Sequence, residues 1–532
     1  MEYDYPLVCV IDKELTNIME TINTETPVGL DQQIPIRGLY IDGREVDATS
    51  DELIEVRNPS TGEVIACIQH AQEEDVDRAM KSARRAFESP EWGGLSVRAR
   101  ARLVNKLADA MEERIDELYQ LETVNNGRPI NETRAQVSRL PDFFRYNAGL
   151  ALARRDSVIP VEGDYLNYTL RTPLGVVGNC TPFNHPLMIL CKSLAPVLAS
   201  GCVTVVKPSE YTPLTTFKLA EIFSDAGLPS GVFNVVTGLG HTTGKALSSH
   251  PGLNKLVLTG GTEAGQIAGS LAAKNFASQT LELGGKTPVL VFDDFDVDQA
   301  VNYAAFSAFV GAGQTCICGS RHIVHKSIYN EFVEKLAKKT TSIRIGDPSE
   351  PGTQLGPVIS EKQRQRIMKY IEAGHQDGAR LVAGGRIPDA PGLEKGYFVE
   401  PTVFADVTPT MTIFQEEVFG PFTSITPFET EEEALRIAND SPFGLAGAVR
   451  TRDVHRAHRV SAKLNCGIVW INDHHRLDPA SPWGGVKLSG IGREGGTESF
   501  DEHFDVKSVM VSTDERPDFD WYRDNVSKRR LN

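Results

Sequence analysis

No stretch of the chain approaches the roughly 20 consecutive apolar residues that a membrane-spanning helix needs, so no span is expected. Positive charge is also scarce: 55 Lys and Arg against 71 Asp and Glu leave a net charge of −16. A surface for nucleic-acid phosphates needs the opposite excess, which argues against such a partner. Cysteine is thinly spread, eight residues in 532: Cys9, Cys67, Cys180, Cys191, Cys202, Cys316, Cys318 and Cys466. That is not a disulfide scaffold, and it suits a reducing compartment. The opening Met1-Glu2-Tyr3-Asp4-Tyr5 is acidic, without a secretory or Arg-rich transit pattern, and Arg530-Leu531-Asn532 is not a peroxisomal address. Internal repeats and low-complexity segments are absent. The expected setting is cytoplasmic.

What is present is ordinary globular composition, 40% hydrophobic and 24% charged, in a length that suits roughly two to four domains. Residues 1–35 mix apolar and acidic residues without a period and read as an extension. A short strand pair is expected near Gly38–Val46 and Glu55–Ile68. Helical spacing of apolar residues predicts helices over Glu73–Glu88 and Ser96–Asn125, both read as scaffold.

From about residue 173 short β-branched runs alternate with helical stretches. The expected strands are Gly175–Asn179, Cys202–Lys207, Val232–Thr237, Lys255–Gly260 and Val289–Asp293, with helices at Pro186–Ala199 and Thr215–Ala226. This alternation indicates βαβ units and a parallel sheet whose ligands bind at the strand ends. A second α/β block follows. Its strands are expected at Ser320–His325, Phe398–Val403, Phe422–Phe428, Gly447–Arg450 and Cys466–Ile471, with helices at Glu331–Thr340, Glu361–Ala373 and Glu431–Ala438. The fold class is therefore α/β.

The chemistry centres on Gly313-Gln314-Thr315-Cys316, a thiol among backbone-permissive glycines, and on Glu282 in Leu281-Glu282-Leu283-Gly284-Gly285-Lys286. Cys316 reads as a covalent nucleophile and Glu282 as its base. Asn184, in a loop pinned by Pro182 and Pro186, can donate to an oxyanion. Lys207 and Glu210 end a strand; a carboxylate there binds a ribose and disfavours a 2′-phosphate, pointing to NAD over NADP. Gly260 and Gly265 open a helix after a strand, which suits a pyrophosphate. The looser turn Gly238-Leu239-Gly240-His241-Thr242-Thr243-Gly244 has the wrong final spacing for a dinucleotide fingerprint.

Each residue also has an ordinary reading. Cys9, Cys67, Cys202 and Cys466 read as small buried hydrophobes. Cys316 and Cys318 could be a metal pair, but no further ligands stand at the right spacing, and no metal is expected. Glu282 could pair with Lys286, Asn184 could satisfy its own turn, Lys207 and Glu210 could form an exposed ion pair, and both glycine turns could be plain tight turns. Glu416 and Glu417 alone would be an exposed helix end.

Taken in order, Asn184, Lys207-x-x-Glu210, Gly260 and Gly265, Glu282-Leu283-Gly284-Gly285-Lys286, Gly313-Gln314-x-Cys316, Glu416-Glu417-x-Phe419-Gly420-Pro421 and Pro482-Trp483-Gly484-Gly485-x-Lys487-x-Ser489-Gly490-x-Gly492-Arg493-Glu494 form one series. The chain resembles the NAD(P)-dependent aldehyde dehydrogenase superfamily over about residues 36–512. The resemblance implies a Rossmann-like cofactor domain, an α/β catalytic domain and a small β oligomerisation arm. The implied boundaries are 36–153 and 173–284 for the NAD-binding domain, 285–499 for the catalytic domain, and 154–172 with 500–512 for the arm. Residues 513–532 would be a polar tail.

By the same resemblance Cys316 is the nucleophile, Glu282 the base, and Asn184 with the Cys316 amide the oxyanion hole. Lys207 and Glu210 hold the adenine ribose, Gly260 and Gly265 line the dinucleotide turn, Glu417 holds the nicotinamide ribose, and Phe419 packs near the nicotinamide. The implied reaction is NAD-dependent oxidation of an aldehyde to its acid through a hemithioacetal and a thioester. A CoA-acylating semialdehyde dehydrogenase is the alternative. A homodimer or homotetramer is implied.

The resemblance also implies a substrate tunnel lined by His185, Thr315, Ile317 and the loop Asp473-His474-His475-Arg476-Leu477-Asp478. Those side chains point to a polar, aromatic or semialdehyde substrate, unless the loop's charges pair with each other at a subunit surface. Two residues depart from the family pattern: Gly261 where many members carry Ser, and Gly311 where many carry Asn.

Overall fold

The β-branched runs after residue 173 do pair side by side, in a sheet of eight strands. Its order is Gly490–Ile491, Ser278–Glu282, Lys255–Thr259, Val176–Cys180, Val203–Lys207, Phe233–Val235, Leu39–Ile41 and Arg44–Val46. The structure, a computed structural model, describes residues 34–514 and Tyr522. The expectations for residues 1–33, including Cys9, and for most of 513–532 lie outside the described residues.

The five strands from Ser278–Glu282 to Phe233–Val235 are mutually parallel, while the edge pairings are antiparallel. Counted along the chain, the five run 5-4-1-2-3, the order of a Rossmann half. The order reverses between Val176–Cys180 and Lys255–Thr259, so a crevice opens beyond their C-terminal ends. A second sheet of seven has the order Arg380–Ala383, Thr402–Ala405, Phe422–Phe428, Arg321–His325, Pro288–Val291, Ala446–Arg450, Ile468–Ile471, parallel except at its first pair. Each sheet has its own apolar core, and Leu477 packs against both. A third, antiparallel sheet joins Val158–Ile159, Tyr165–Pro173 and Phe504–Ser512.

Local chemistry accounts for the helices that position the site. Glu73–Glu88 starts with a capping box between Gln72 and Asp75 and an acidic first turn, and it buries Val76, Ala79, Met80 and Ala83. Pro186–Ser200 has proline at its first position and is buried on every side, so it fills the space against the eight-stranded sheet.

Three expectations need correcting. The helix expected over Ser96–Asn125 is two helices, Val97–Glu113 and Ile115–Asn126, broken at Arg114 (φ −114°, ψ 18°), where acidic Asp116 and Glu117 open a new first turn. The strand expected over Phe398–Val403 is Thr402–Ala405, because Pro401 offers no amide to the ladder. Cys67 and Cys466 are half-buried rather than buried, unlike Cys202.

Candidate active site

The eight-stranded sheet brings three residues to its C-terminal edge. Strand Val176–Cys180 runs into the Thr181–Pro186 loop, where the Asn126 side-chain amide donates to the Phe183 carbonyl at 2.5 Å and to the Asn184 carbonyl at 3.4 Å. The loop backbone is thus held, while the buried Asn184 side chain keeps its Oδ1 unpartnered. Strand Val203–Lys207 ends in buried Lys207, whose Nζ lies 3.6 Å from Glu210. Strand Ser278–Glu282 ends in Glu282, and the Glu282 carbonyl receives the Gly260 amide at 3.0 Å. Glu282 therefore stands at a strand end rather than inside a turn.

Helix Thr262–Ala273 follows Gly260 with Gly261 as its N-cap and no side-chain cap. Gly261 is exposed, and a side chain there would meet nothing. Gly265 is buried against Leu283, so its bare Cα lets the helix approach the Glu282 turn. The other glycine turn, Gly240–Gly244, is anchored by Thr243 Oγ1 donating to the Ala71 carbonyl at 2.6 Å, a packing role.

The thiol comes from the second sheet. Helix Val297–Phe309 ends in the tight turn Val310–Gly313, in which Gly311, Ala312 and Gly313 all have φ between 53° and 65°. Non-glycine residues are rare in that region, and such strain collects at functional sites. Gln314 Oε1 accepts the Ile359 amide at 3.0 Å, and Cys318 N donates to the Thr315 carbonyl at 3.0 Å, curling the chain around Cys316. Cys316 thus precedes strand Arg321–His325, and Glu417 precedes Phe422–Phe428. In this sheet the candidate residues sit at strand starts, opposite to the strand-end rule that holds in the first. Cys318 is buried and its thiol lies on the Ala308 carbonyl at 3.4 Å. Among the described residues no group of three or more metal-ligating side chains occurs.

The two halves meet through the backbone and through charge. The Gly285 amide donates to Glu417 Oε1 at 2.9 Å. A Cβ on Gly285 would run into the Cys316 carbonyl. Burial pushes the Cys316 thiol up to about 12; Lys192 pulls it down, while Glu282 and Glu417 add to the rise. Burial, then Glu494, raises Glu282 well above the ordinary carboxylate range, against the pull of Lys192 and Arg493. Among the described residues neither Glu282 oxygen has a hydrogen-bond partner. Gly484, at φ 152°, permits the close fit: a Cβ there would stand 2.9 Å from Glu282 Oε1. Lys286 is not the partner of Glu282. Its Nζ donates to the Glu416 carbonyl at 2.5 Å.

Lys192 and Glu494 are the residues that the sequence reading overlooked as a unit. Lys192 Nζ lies 2.5 Å from Glu494 Oε2 and 4.9 Å from the centre of the Trp483 ring, with both charges buried. A signal existed: Lys192 is the one charged residue in an otherwise apolar and polar-neutral helix, Pro186–Ser200.

Glu417 is raised to about 7 by burial, opposed by the Gly285 amide, Arg366 and Lys286. Phe419 has φ 58° and sets its ring edge-on to Phe183 at 5.8 Å, next to Asn184. Burial disfavours the charged form of three imidazoles near this site. Burial lowers His185 and His474 well below the usual value and takes His475 to about 3. His474 is bonded through Nε2 to the Ile317 carbonyl at 2.9 Å, and Arg450 Nη1 donates to the Asp473 carbonyl at 2.7 Å. Arg476 is exposed, and among the described residues no ion pair joins it to Asp473 or Asp478.

A Rossmann-order sheet joined to a second α/β sheet, with a thiol and a carboxylate brought together where they meet, is the architecture of a dinucleotide-type oxidoreductase. Comparison with known proteins narrows this. The description "Aldehyde dehydrogenase family" matches residues 46–509. Betaine aldehyde dehydrogenase, chloroplastic, of Beta vulgaris is 40% identical over 498 residues, 92% of this chain and 99% of that protein. PnpE from Pseudomonas sp. WBC-3 has a solved structure with TM-score 0.89 at 43% identity, covering 92% of this chain and 100% of that one. Betaine aldehyde dehydrogenase of Staphylococcus aureus, solved in complex with NAD+, has TM-score 0.90 at 39% identity, covering 92% and 97%. The chain belongs to the aldehyde dehydrogenase family and is an oxidoreductase acting on aldehydes.

Proposed function

We propose that this enzyme oxidises a polar aldehyde to its carboxylic acid with NAD, through a thioester on Cys316. The observation that carries the reading is the shared electrostatics of Cys316, Glu282 and Lys192 beside the Gly285 contact. Cys316 loses its proton, with Glu282 as the base that passes it to solvent, and Sγ adds to the aldehyde carbon. The Asn184 amide, with its backbone already held, and the Cys316 N–H face the oxyanion that forms. Glu282, raised and unpartnered, takes a proton from the water that releases the acid. Lys192 offsets negative charge as it builds on the thiol and on Glu282.

The residues present fit a dinucleotide. The N-terminus of Thr262–Ala273 has no side-chain cap and suits a pyrophosphate. Lys207 and Glu210 would hold the adenine ribose, and Glu210 disfavours NADP. Gly260 would line the turn, with Gly265 letting the helix close on it. Glu417 would hold the nicotinamide ribose, with Phe419 beside the ring. When bound, NAD supplies the hydride acceptor.

The assignment of 36–153 and 173–284 as cofactor domain and 285–499 as catalytic domain is supported by the two separate sheets and cores, apart from strand Gly490–Ile491, which joins the first sheet. Residues 154–172 and 500–512 would be an oligomerisation arm of a homodimer or homotetramer. Val158, Leu166, Leu170, Val506 and Met510 lie exposed on that third sheet, which supports burial against another copy. A cytoplasmic setting keeps a thiol such as Cys316 reduced.

The test is NADH formation, followed by absorbance, over aliphatic, aromatic and carboxylated aldehydes with NAD and with NADP. Turnover with NAD and free acid as product, without CoA, is expected. Turnover only when CoA is added would move the reading to the acylating enzyme.

A further inference from the structure

One short segment, residues 122–136, touches both sides of the site. It runs from the end of helix Ile115–Asn126, through Gly127, Arg128 and Pro129, into helix Ile130–Val137. At its start the buried Glu122 carboxylate receives the Leu187 amide at 3.1 Å. Leu187 stands in the first turn of helix Pro186–Ser200, three residues after Asn184, where an amide has no partner inside its own helix. Asn126 already grips the Phe183 and Asn184 carbonyls. The oxyanion loop is thus held on both sides of Asn184.

At its end the segment reaches the thiol turn. The half-buried Glu132 carboxylate receives the Gly311 amide at 3.0 Å. Gly311 opens the run of left-handed residues, and its carbonyl accepts the Gln314 amide at 3.1 Å, two residues before Cys316. A turn so strained keeps its shape only where its surroundings fix it. Glu132 is the side chain that fixes its first left-handed residue. Between the two carboxylates lies one cation, Arg128, buried like Glu122. Its Nη1 donates to Glu122 Oε1 at 3.2 Å and to Gln136 Oε1 at 2.8 Å, and its Nε lies 3.7 Å from Glu132 Oε2. Gln136 Oε1 also meets Nδ1 of His185, the neighbour of Asn184, at 3.1 Å.

We propose that Glu132 and Arg128 are positioning residues that fix the thiol turn and the oxyanion loop at one distance from each other. Glu132 acts on Cys316 through the Gly311 amide. Glu122 acts on Asn184 through the Leu187 amide. Arg128 stands between the two carboxylates and aims both, so the two arms move as one piece. Burial raises both carboxyls, and Arg128 opposes the rise, which keeps them acceptors for those amides. The inference rests on the proposed chemistry of Cys316 and Asn184 and adds the frame that spaces them. A lysine at 128 would keep the charge but not the planar fork, so it would hold one carboxylate and release the other.

The experiment follows two reactions of the full-length enzyme without NAD. Alkylation of Cys316 by iodoacetamide, mapped by mass spectrometry, reads the thiol turn alone. Cleavage of 4-nitrophenyl acetate reads the thiol and the oxyanion loop together: the Cys316 thiolate attacks the acetyl carbon, 4-nitrophenolate leaves, and water hydrolyses the acetyl thioester. The variants are Glu132→Ala, Glu132→Gln and Arg128→Lys, each with a thermal melt. Glutamine keeps an oxygen for the Gly311 amide and drops the charge; alanine drops both. Glu132→Ala should slow both reactions about tenfold or more, the sensitivity of a reacting geometry to small misplacement, with a melt close to wild type. Glu132→Gln should restore both to within about threefold, since a neutral acceptor is the weaker one. Arg128→Lys should slow ester cleavage more than alkylation, because it frees the loop as well as the turn. Wild-type rates in Glu132→Ala overturn the inference. So does a Glu132→Gln enzyme as slow as the alanine variant, or losses that match the unfolded fraction. If Arg128→Lys does not fold, the two Glu132 variants decide alone. Ester cleavage that survives Cys316→Ala would instead sink the proposed chemistry, and alkylation would still judge the frame.

Discussion

Lys192 Nζ and Glu494 Oε2 form a fully buried ion pair at 2.5 Å, joining the helix after Asn184 to the turn that closes the motif series. Burial alone would lower the Lys192 ammonium; Glu494 and then Glu282 outweigh it and raise the group, so it stays charged. Lys192→Met should therefore do two things. Stability should fall by about 3–5 kcal/mol, because Glu494 is left as an unpaired buried charge. The acidic limb of the kcat/KM profile should move to higher pH, because Cys316 and Glu282 both lose the charge that lowers them. Each unit of that shift is about a tenfold loss of thiolate at fixed pH. Thermal melts and pH–rate profiles check it, with Lys192→Arg as the variant that keeps the charge.

Glu282→Gln separates the two halves of the reaction. The substitution keeps the volume and removes the base. Hydrolysis of the thioester should slow by about 10²–10⁴, the usual contribution of a positioned base. Acylation should slow less, leaving a burst of NADH close to one per active site, seen by stopped-flow absorbance. A steady rate equal to wild type would remove Glu282 from the mechanism. Because the wild-type carboxyl sits raised and desolvated, glutamine should also stabilise the fold rather than weaken it.

Much of this site was legible in the chain because its parts are local. Asn184 lies between two prolines just past a β-branched run. Gly260 and Gly265 open a helix after a strand, Glu282 ends a strand just before Gly284 and Gly285, and Cys316 follows the glycine-rich turn Gly311–Gly313. Helix Glu73–Glu88 announces itself by period and by its capping box. Pairings across the fold are not local. Lys192 meets Glu494 only because the late strand Gly490–Ile491 returns to pair with Ser278–Glu282 at the edge of the first sheet. Lys286, four residues from Glu282, turns away to the Glu416 carbonyl. Helices Ile130–Val137 and Pro141–Ala153 escaped notice because their hydrophobic residues do not form a clean stripe. Nothing in a one-dimensional pattern distinguishes a strand start from a strand end as the place where Cys316 projects.

Glu417 predicts a pH-dependent grip on the cofactor. Burial raises its carboxyl from 4.5 to about 7. Between those values the folded state holds a proton that the unfolded chain has released, so this group's contribution to stability falls as pH rises through that window. The ionised form accepts hydrogen bonds from ribose hydroxyls, and the neutral form does so less well. The KM for NAD should therefore fall, by up to about tenfold, as pH rises from 6 to 8. Glu417→Gln should flatten that dependence. Calorimetry of NAD binding in buffers of different ionisation enthalpy should show proton release near pH 7 in the wild type and none in the variant.

Gly313 ties the thiol turn to the segment that carries Glu417. It sits at φ 65°, and a Cβ there would collide with the Gly420 carbonyl, which is backbone and cannot swing aside. Gly313→Ala pays twice, through the left-handed conformation, about 1–2 kcal/mol, and through the displaced Gly420 peptide. Only two residues, Gln314 and Thr315, separate Gly313 from Cys316, and Gly420 follows Phe419 directly. A shift of a few tenths of an ångström at this contact moves nucleophile and cofactor contacts in opposite directions. The expected result is a loss of kcat of about 10² or more, the sensitivity of a reacting geometry to small misplacement, with a much smaller fall in melting temperature. If instead activity and stability fell together, in proportion to the unfolded fraction, the contact would be scaffold. A variant that bound NAD normally but alkylated slowly at Cys316 would place the displacement on the thiol side.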